Sequence, residues 1–400
     1  VKQVKILFLI AFSLLGLVLA SCVPGGTQPA QGWSGITLND GILYMGSMDG
    51  KIMAVNPSAR SQNLSFPADG EWEYPITAPS GGGLSCSQTS ASVAIYGTPA
   101  VDEALVFSGG YNGKVYALNA SARSQNLDFP QMRDNEWFYP KTSEVIGAIV
   151  GSPVMSEDAI YVTSSNGKVY CLDKHFGDKK WESDILAKKL WSTPYIEGGK
   201  VYISTFDGHF YALSAEDGSI TWSFAIAYPK IGFVSSPAVY EGTIFAGSFD
   251  GNLYAVEIGE SEPLWNFTGG NCFWAAPVVS NSTVYAGCLN GNIYAIDATN
   301  GTELWSFDVG SPIVVSPLLV DDSLVVAAES GNVYVINPKT GIGERIRNPG
   351  NDNKPTINAL VQASPCAQEG IVYIRGQDNC LYALDIEQGQ VIWKFPLTTQ

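Results

Sequence analysis

Short stretches of alternating apolar and polar residues recur along the chain, each opened by a tight-turn pair. "NGKVYALN" begins at Asn112, "NGKVYCLD" at Asn166, "DGHFYALS" at Asp207, "DGNLYAVE" at Asp250 and "NGNIYAID" at Asn290, with weaker copies at Asp49, Ser330 and Asp378. Asn-Gly and Asp-Gly tolerate the positive φ that short hairpins demand, so each pair predicts a turn and the alternation behind it predicts a strand. A proline stands fourteen residues ahead of the turn glycine, from Pro99 and Gly113 to Pro317 and Gly331; Ile36 holds its place in the first copy. Fourteen residues behind the turn comes a tryptophan, at Trp181, Trp222, Trp265, Trp305 and Trp393, with Arg345 standing there in the seventh copy. Ten residues behind the turn a second glycine usually marks another hairpin, at Gly177, Gly218, Gly301, Gly341 and Gly389.

Each unit therefore holds four short strands within about 40 residues, the size of a propeller blade. Eight copies predict an all-β fold, an eight-bladed β-propeller of four-stranded antiparallel blades. The proline strand is written in small residues ("GTP", "GSP", "STP", "SSP"), as strands converging on an axis require. The tryptophan strand is the outer one, where blades diverge and a large ring fills the wedge. A solenoid suits this regular four-strand spacing less well.

The stretch "NGNIYAIDATNGTELWSF", residues 290–307, resembles the repeat of the pyrroloquinoline-quinone (PQQ) type β-propeller family. The chain is most similar there to BamB-like outer-membrane assembly lipoproteins. The resemblance covers residues 33–397 and implies the fold. For function it implies two different things, because such repeats serve quinone-dependent dehydrogenases as well as non-catalytic assembly lipoproteins. The assembly role presupposes an outer membrane.

The first residues read separately. Lys2 and Lys5 precede an apolar run over residues 6–19, and Leu19-Ala20-Ser21-Cys22 follows. This is a secretory leader, short for a membrane span. Its end resembles the lipobox of bacterial lipoproteins, which implies cleavage before Cys22, acylation of that residue and anchorage on a lipid bilayer; a plain signal peptide with a chance cysteine is the alternative. The expected organisation is residues 1–21 as signal peptide, 22–32 as a lipidated Pro/Gly-rich tether and 33–397 as the propeller, placed outside the cytoplasm.

Composition narrows the chemistry. With 46% hydrophobic and 15% charged residues the chain can bury a large core, and a net charge of −16 excludes nucleic acid as a partner. His175 and His209, the two histidines, fall at a hairpin turn and at a variable repeat position, so neither a metal pair nor a Ser-His-Asp arrangement is indicated. No catalytic residue, metal site or cofactor is expected. PQQ stays as an alternative without specific ligands, since the adjacent cysteine pair that such dehydrogenases often carry is missing. Cys171, Cys288 and Cys366 read as small buried hydrophobes; Cys86, Cys272 and Cys380 lie in connections or turns, and the sequence does not choose among pairings.

Binding is the stronger expectation, to envelope or membrane proteins through a non-catalytic scaffold. The residue three before each proline reads Trp33, Tyr96, Val150, Trp191, Val234, Trp274, Val314 and Gln362. Trp33, Tyr96, Trp191 and Trp274 thus form an aromatic collar at the channel mouth, able to grip a ligand or partner, or else to plug the wide centre. Longer connections at residues 79–92 and 348–358 are expected on the same face. The string "SARSQNL" occurs at Ser58 and again at Ser121, inside insertions between the third and fourth strands of the first two blades. These insertions are expected on the opposite face, either as a trace of blade duplication or as a partner-binding edge with Arg60 and Arg123 as cations on an acidic surface. A quinoprotein and a surface receptor for polysaccharide or a small ligand are the alternatives to the scaffold.

Overall fold

A computed structural model describes residues 33–76, 92–102, 104–121, 136–226, 232–348 and 354–397. Among them lie thirty-two strands in eight sheets of four, each built from consecutive strands and hydrogen-bonded in chain order. Blade 1 comprises β1 (Ile36–Asn39), β2 (Ile42–Gly46), β3 (Lys51–Val55) and β4 (Trp72–Pro75), paired antiparallel throughout. The eight-bladed propeller expected from the repeats is the observed fold.

The turn glycines behave as the hairpins require, with φ of 75° at Gly113, 87° at Gly167, 88° at Gly251 and 94° at Gly291. Second and third strands are buried on both faces, which is why they read as nearly continuous apolar runs. The core is not one mass but eight wedges, each made by the facing sides of neighbouring blades. In the first, Tyr44, Ile52 and Trp72 of blade 1 meet Val101, Val106 and Leu118 of blade 2. In the last, Tyr373, Leu381 and Ala383 of blade 8 meet Leu43, Met45 and Met53 of blade 1.

Two devices tie blade to blade. On the outside, the tryptophan of one blade donates its Nε1–H to a carbonyl in the third-to-fourth-strand turn of the next: Trp72 to Ala120, Trp137 to Lys174, Trp181 to Ala215, Trp222 to Glu260, Trp265 to Ala298 and Trp305 to Pro338. The second glycine of the repeat lies against that ring, since a Cβ on Gly218 would stand 2.5 Å from Trp181 and one on Gly301 2.7 Å from Trp265. On the inside, the hydroxyl before the proline of blades 3, 4 and 5 accepts from the preceding blade: Thr98 N–H to Ser152 Oγ at 2.9 Å, Ser152 N–H to Thr193 Oγ1 at 3.0 Å and Thr193 N–H to Ser236 Oγ at 2.8 Å. The small residues at the axis therefore carry hydrogen bonds as well as saving space.

The ring closes without strand exchange among the described residues, and two arginines stitch the seam. Arg375 in β30 (Ile371–Gly376) of blade 8 donates to the carbonyls of Ser34 and Gly46 in blade 1. Its neighbours in the repeat are Gly109, Thr163 and Gly247, so a guanidinium here is particular to blade 8.

Arg60 reaches the other way. It sits in α1 (Pro57–Ser61), which Asn56 caps by accepting from the Ser58 and Ala59 amides. The expectation of Arg60 as a surface cation is corrected. Arg60 is 5% exposed, its Nη2 lies 2.7 Å from Glu71 Oε2, and its guanidinium lies 4.5 Å from the Phe395 ring centroid in β32 (Gln390–Pro396) of blade 8. A guanidinium with a buried carboxylate on one side and an aromatic face on the other is a packing element. The second insertion begins alike, with Glu136 Oε1 accepting from Asn119 N–H as Glu71 Oε1 does from Asn56 N–H. Arg123 and Cys22, like residues 79–91 and 349–353 of the long connections, lie outside the described residues.

Candidate functional site: the channel mouth

Inner strands enter the ring at a common phase, so the residue three before each proline reaches the axis. All eight of these positions line one central cavity of about 980 Å³, including Trp33, Tyr96, Trp191 and Trp274. The collar joins two aromatic arcs. Trp33 meets Tyr96 edge-to-face at 4.7 Å between centroids, and Tyr96 meets Tyr111 at 5.4 Å. Trp191 meets Phe206 at 5.3 Å, Phe206 stacks on Phe249 at 6.0 Å, and Phe249 meets Trp274 at 5.9 Å. Tyr111, Phe206 and Phe249 were missed in the sequence although they carry a signal, for each directly precedes the Asn-Gly or Asp-Gly pair.

Polar groups are sparse and sided. Lys188 and Lys189 line the cavity beside blade 4, with Lys189 Nζ 5.6 Å from the Trp191 ring centroid. On the far side, around blades 7 and 8, Gln362 Nε2 donates to Glu329 Oε1 at 3.2 Å and accepts at its Oε1 from Gln377. Asp207 is held by Thr205 Oγ1 and by His209 Nδ1 at 3.2 Å. Burial, reinforced by Tyr111, pushes the Tyr96 phenol up to about 12, so it stays a protonated donor at neutral pH. Trp191 Nε1 is buried without a partner, an unmet donor at the cavity wall.

The rim adds exposed apolar surface. Val145 is 58% and Ile185 69% exposed, on the linkers entering blades 3 and 4, and Ile185 lies against the turn at Gly167 on the mouth face. The rim and the arcs can hold an apolar or aromatic group; the two ammonium groups suit an anionic neighbour. Among the described residues no three His, Cys, Asp or Glu side chains converge, and the one acid at the wall, Asp207, already has two partners.

Comparison with known proteins follows the same lines. A family model described as outer membrane protein assembly factor BamB matches residues 133–341 and 262–400. The assembly factor BamB of Yersinia pestis is 27% identical over 133 residues, 33% of this chain and 33% of that protein. That of Bordetella pertussis is 22% identical over 200 residues, 49% of this chain and 44% of that protein. The chain thus spans between a third and under half the length of the curated relatives it matches. The crystal structure of BamB from Moraxella catarrhalis superposes with a TM-score of 0.63 at 15% identity, covering 87% of this chain and 92% of that one. The computationally designed Ika8 protein superposes with a TM-score of 0.61 at 16% identity, covering 76% of this chain and 87% of that one. At such identities the superpositions show the fold alone. No helix among the described residues is long and apolar enough to cross a membrane.

Proposed function

The chain belongs to the family of the outer membrane protein assembly factor BamB, and from that premise we propose that it is a non-catalytic, lipid-anchored scaffold that docks envelope proteins at its channel mouth during outer-membrane protein assembly. The observation that carries the reading is the rim around blades 3 and 4. Exposed Val145 and Ile185 lie on the linkers entering blades 3 and 4, and Lys188 and Lys189, just after Ile185 in the chain, line the aromatic cavity. Apolar surface rimmed by charge is the composition of a protein interface, and aromatic side chains at its centre are the usual anchors. Two lysines on a chain of net charge −16 select an acidic or dipolar face by complementarity.

The test is crosslinking and capture from the native envelope. Wild type should recover a component of outer-membrane protein assembly; recovery of only glycans or small molecules would defeat the scaffold. Ile185→Asp with Lys188→Glu should lower recovery at least tenfold at unchanged melting temperature. Trp191→Ala and Trp274→Ala should lower recovery per folded molecule; loss of stability with recovery intact would leave the rings as a plug. The anchor has its own check: Cys22→Ser should move the protein from membranes to the soluble extracytoplasmic fraction and abolish acyl labelling.

A further inference from the structure

We propose that Cys272 and Cys288 are a disulfide pair that pins the collar's Trp274 segment to blade 6. Cys272 lies on the linker from blade 5, directly ahead of Phe273 and Trp274; Cys288 directly follows β22 (Thr283–Gly287). The backbone registers the two segments: Leu289 N–H donates to Cys272 O at 2.9 Å. The same bond recurs around the ring, from Tyr111 to Ala94, Ser165 to Ala148, Phe249 to Gly232, Glu329 to Pro312 and Gln377 to Leu360. Counterparts of the cysteine pair are therefore Gly110 with Ala94, Ser164 with Ala148, Ser248 with Gly232, Ala328 with Pro312 and Gly376 with Leu360. Blade 6 alone among these has cysteine at both places.

Side-chain geometry agrees with the register. Cys288 Sγ donates to Asn271 O at 3.2 Å, which turns it toward the residue beside Cys272. The equivalent Ser248 Oγ donates to Gly232 O at 3.2 Å, so this position of the blade habitually faces the linker. Both residues are buried, at 1% and 0% exposure. A disulfide needs Cα atoms about 4.4–6.8 Å apart, and the bond from the residue after Cys288 to the Cys272 carbonyl brings the two backbones alongside at that step. Burial and the neighbouring thiol raise the Cys272 pKa, and burial raises that of Cys288, so both are inert thiols in the closed fold.

The bond accordingly forms during folding or local opening. One thiolate attacks an incoming disulfide, from an oxidoreductase or a low-molecular-weight donor, and releases one thiol. The second cysteine then displaces the other thiol from the mixed disulfide, so two electrons and two protons pass to the donor. The closed loop holds β21 (Val278–Ser280) and β22 and fixes the approach to Trp274. Oxidation in the cell rests on the extracytoplasmic reading above, whereas the chemistry does not.

The experiment equilibrates the full chain with oxidised glutathione through unfolding and refolding, then alkylates in denaturant and maps the peptides. The expected result is a linked Cys272–Cys288 peptide pair, two hydrogens lighter, with both residues protected from alkylation. Cys272→Ser should restore full alkylation of Cys288, and Cys288→Ser that of Cys272. Reduction should lower Tm in wild type but not in either variant. Full alkylation of both cysteines after refolding, or Cys272 linked to another cysteine such as Cys86, overturns the proposal. A pair that closes with glutathione yet is reduced in protein taken from the cell supports the pairing and removes the extracytoplasmic reading.

Discussion

Arg60→Ala should destabilise the propeller by about 3–5 kcal/mol, measured by denaturant unfolding. The side chain is 4% exposed and its partner carboxylate on Glu71 is 0% exposed. Removing the guanidinium leaves that carboxylate with only the amides of Asn56 and Ala68 as donors, a buried charge without a counter-charge. It also takes the cation from the face of Phe395, leaving the Phe66–Phe395 ring contact as the outer hold of blade 1 on blade 8. Because no strand of one end joins the sheet of the other among the described residues, the seam has little to fall back on except its wedge and Arg375. The pair is not optimal even in the native state, for Arg60 Nε is buried without an acceptor. A combined Arg60→Met, Glu71→Gln variant should therefore recover most of the loss, since a buried ion pair can be replaced by apolar packing at little cost. A change under about 1 kcal/mol for Arg60→Ala would show that solvent reaches the site and that the seam is held elsewhere.

Arg60 also marks where sequence reading stopped. A propeller writes its geometry locally and repeatedly: a turn glycine, a proline at the inner strand and a tryptophan at the outer one keep fixed distances in every blade. The fold and the collar were legible because each follows from that phase alone. Tyr111, Phe206 and Phe249 were legible too, one residue ahead of the turn pair, but a turn draws attention to its central residues and not to the one that points into the channel. Contacts at the seam have no such ruler. Arg60 meets Phe395 and Arg375 meets Ser34 only because the first blade closes on the last, at opposite ends of the chain. An arginine in an acidic, polar-looking insertion reads as exposed until its buried carboxylate, at Glu71, is placed beside it. The Cys272 and Cys288 positions likewise needed the backbone register between a linker and the blade it enters.

Comparing Gly301→Ala with Gly389→Ala should separate backbone strain from the packing of neighbouring blades. Both glycines hold the same repeat position with positive φ, 75° and 63°. An alanine at either place pays for the left-handed conformation, about 1–2 kcal/mol. Their surroundings differ. A Cβ on Gly301 would lie 2.7 Å from Trp265, whose ring is 9% exposed and fixed by its bond to Ala298 O at 2.9 Å. The ring cannot withdraw without breaking that bond, so overpacking should add about 1–3 kcal/mol. A Cβ on Gly389 meets nothing within 4 Å, because blade 7 presents Arg345 where other blades present tryptophan. Gly301→Ala should thus cost about 2–5 kcal/mol and Gly389→Ala about 1–2 kcal/mol, read from the same unfolding curves. Equal losses would mean that the recurring glycine answers only to φ. A larger loss at Gly301 ties it to the ring of the preceding blade, whereas Gly389, kept where Arg345 replaces the tryptophan, answers to φ alone.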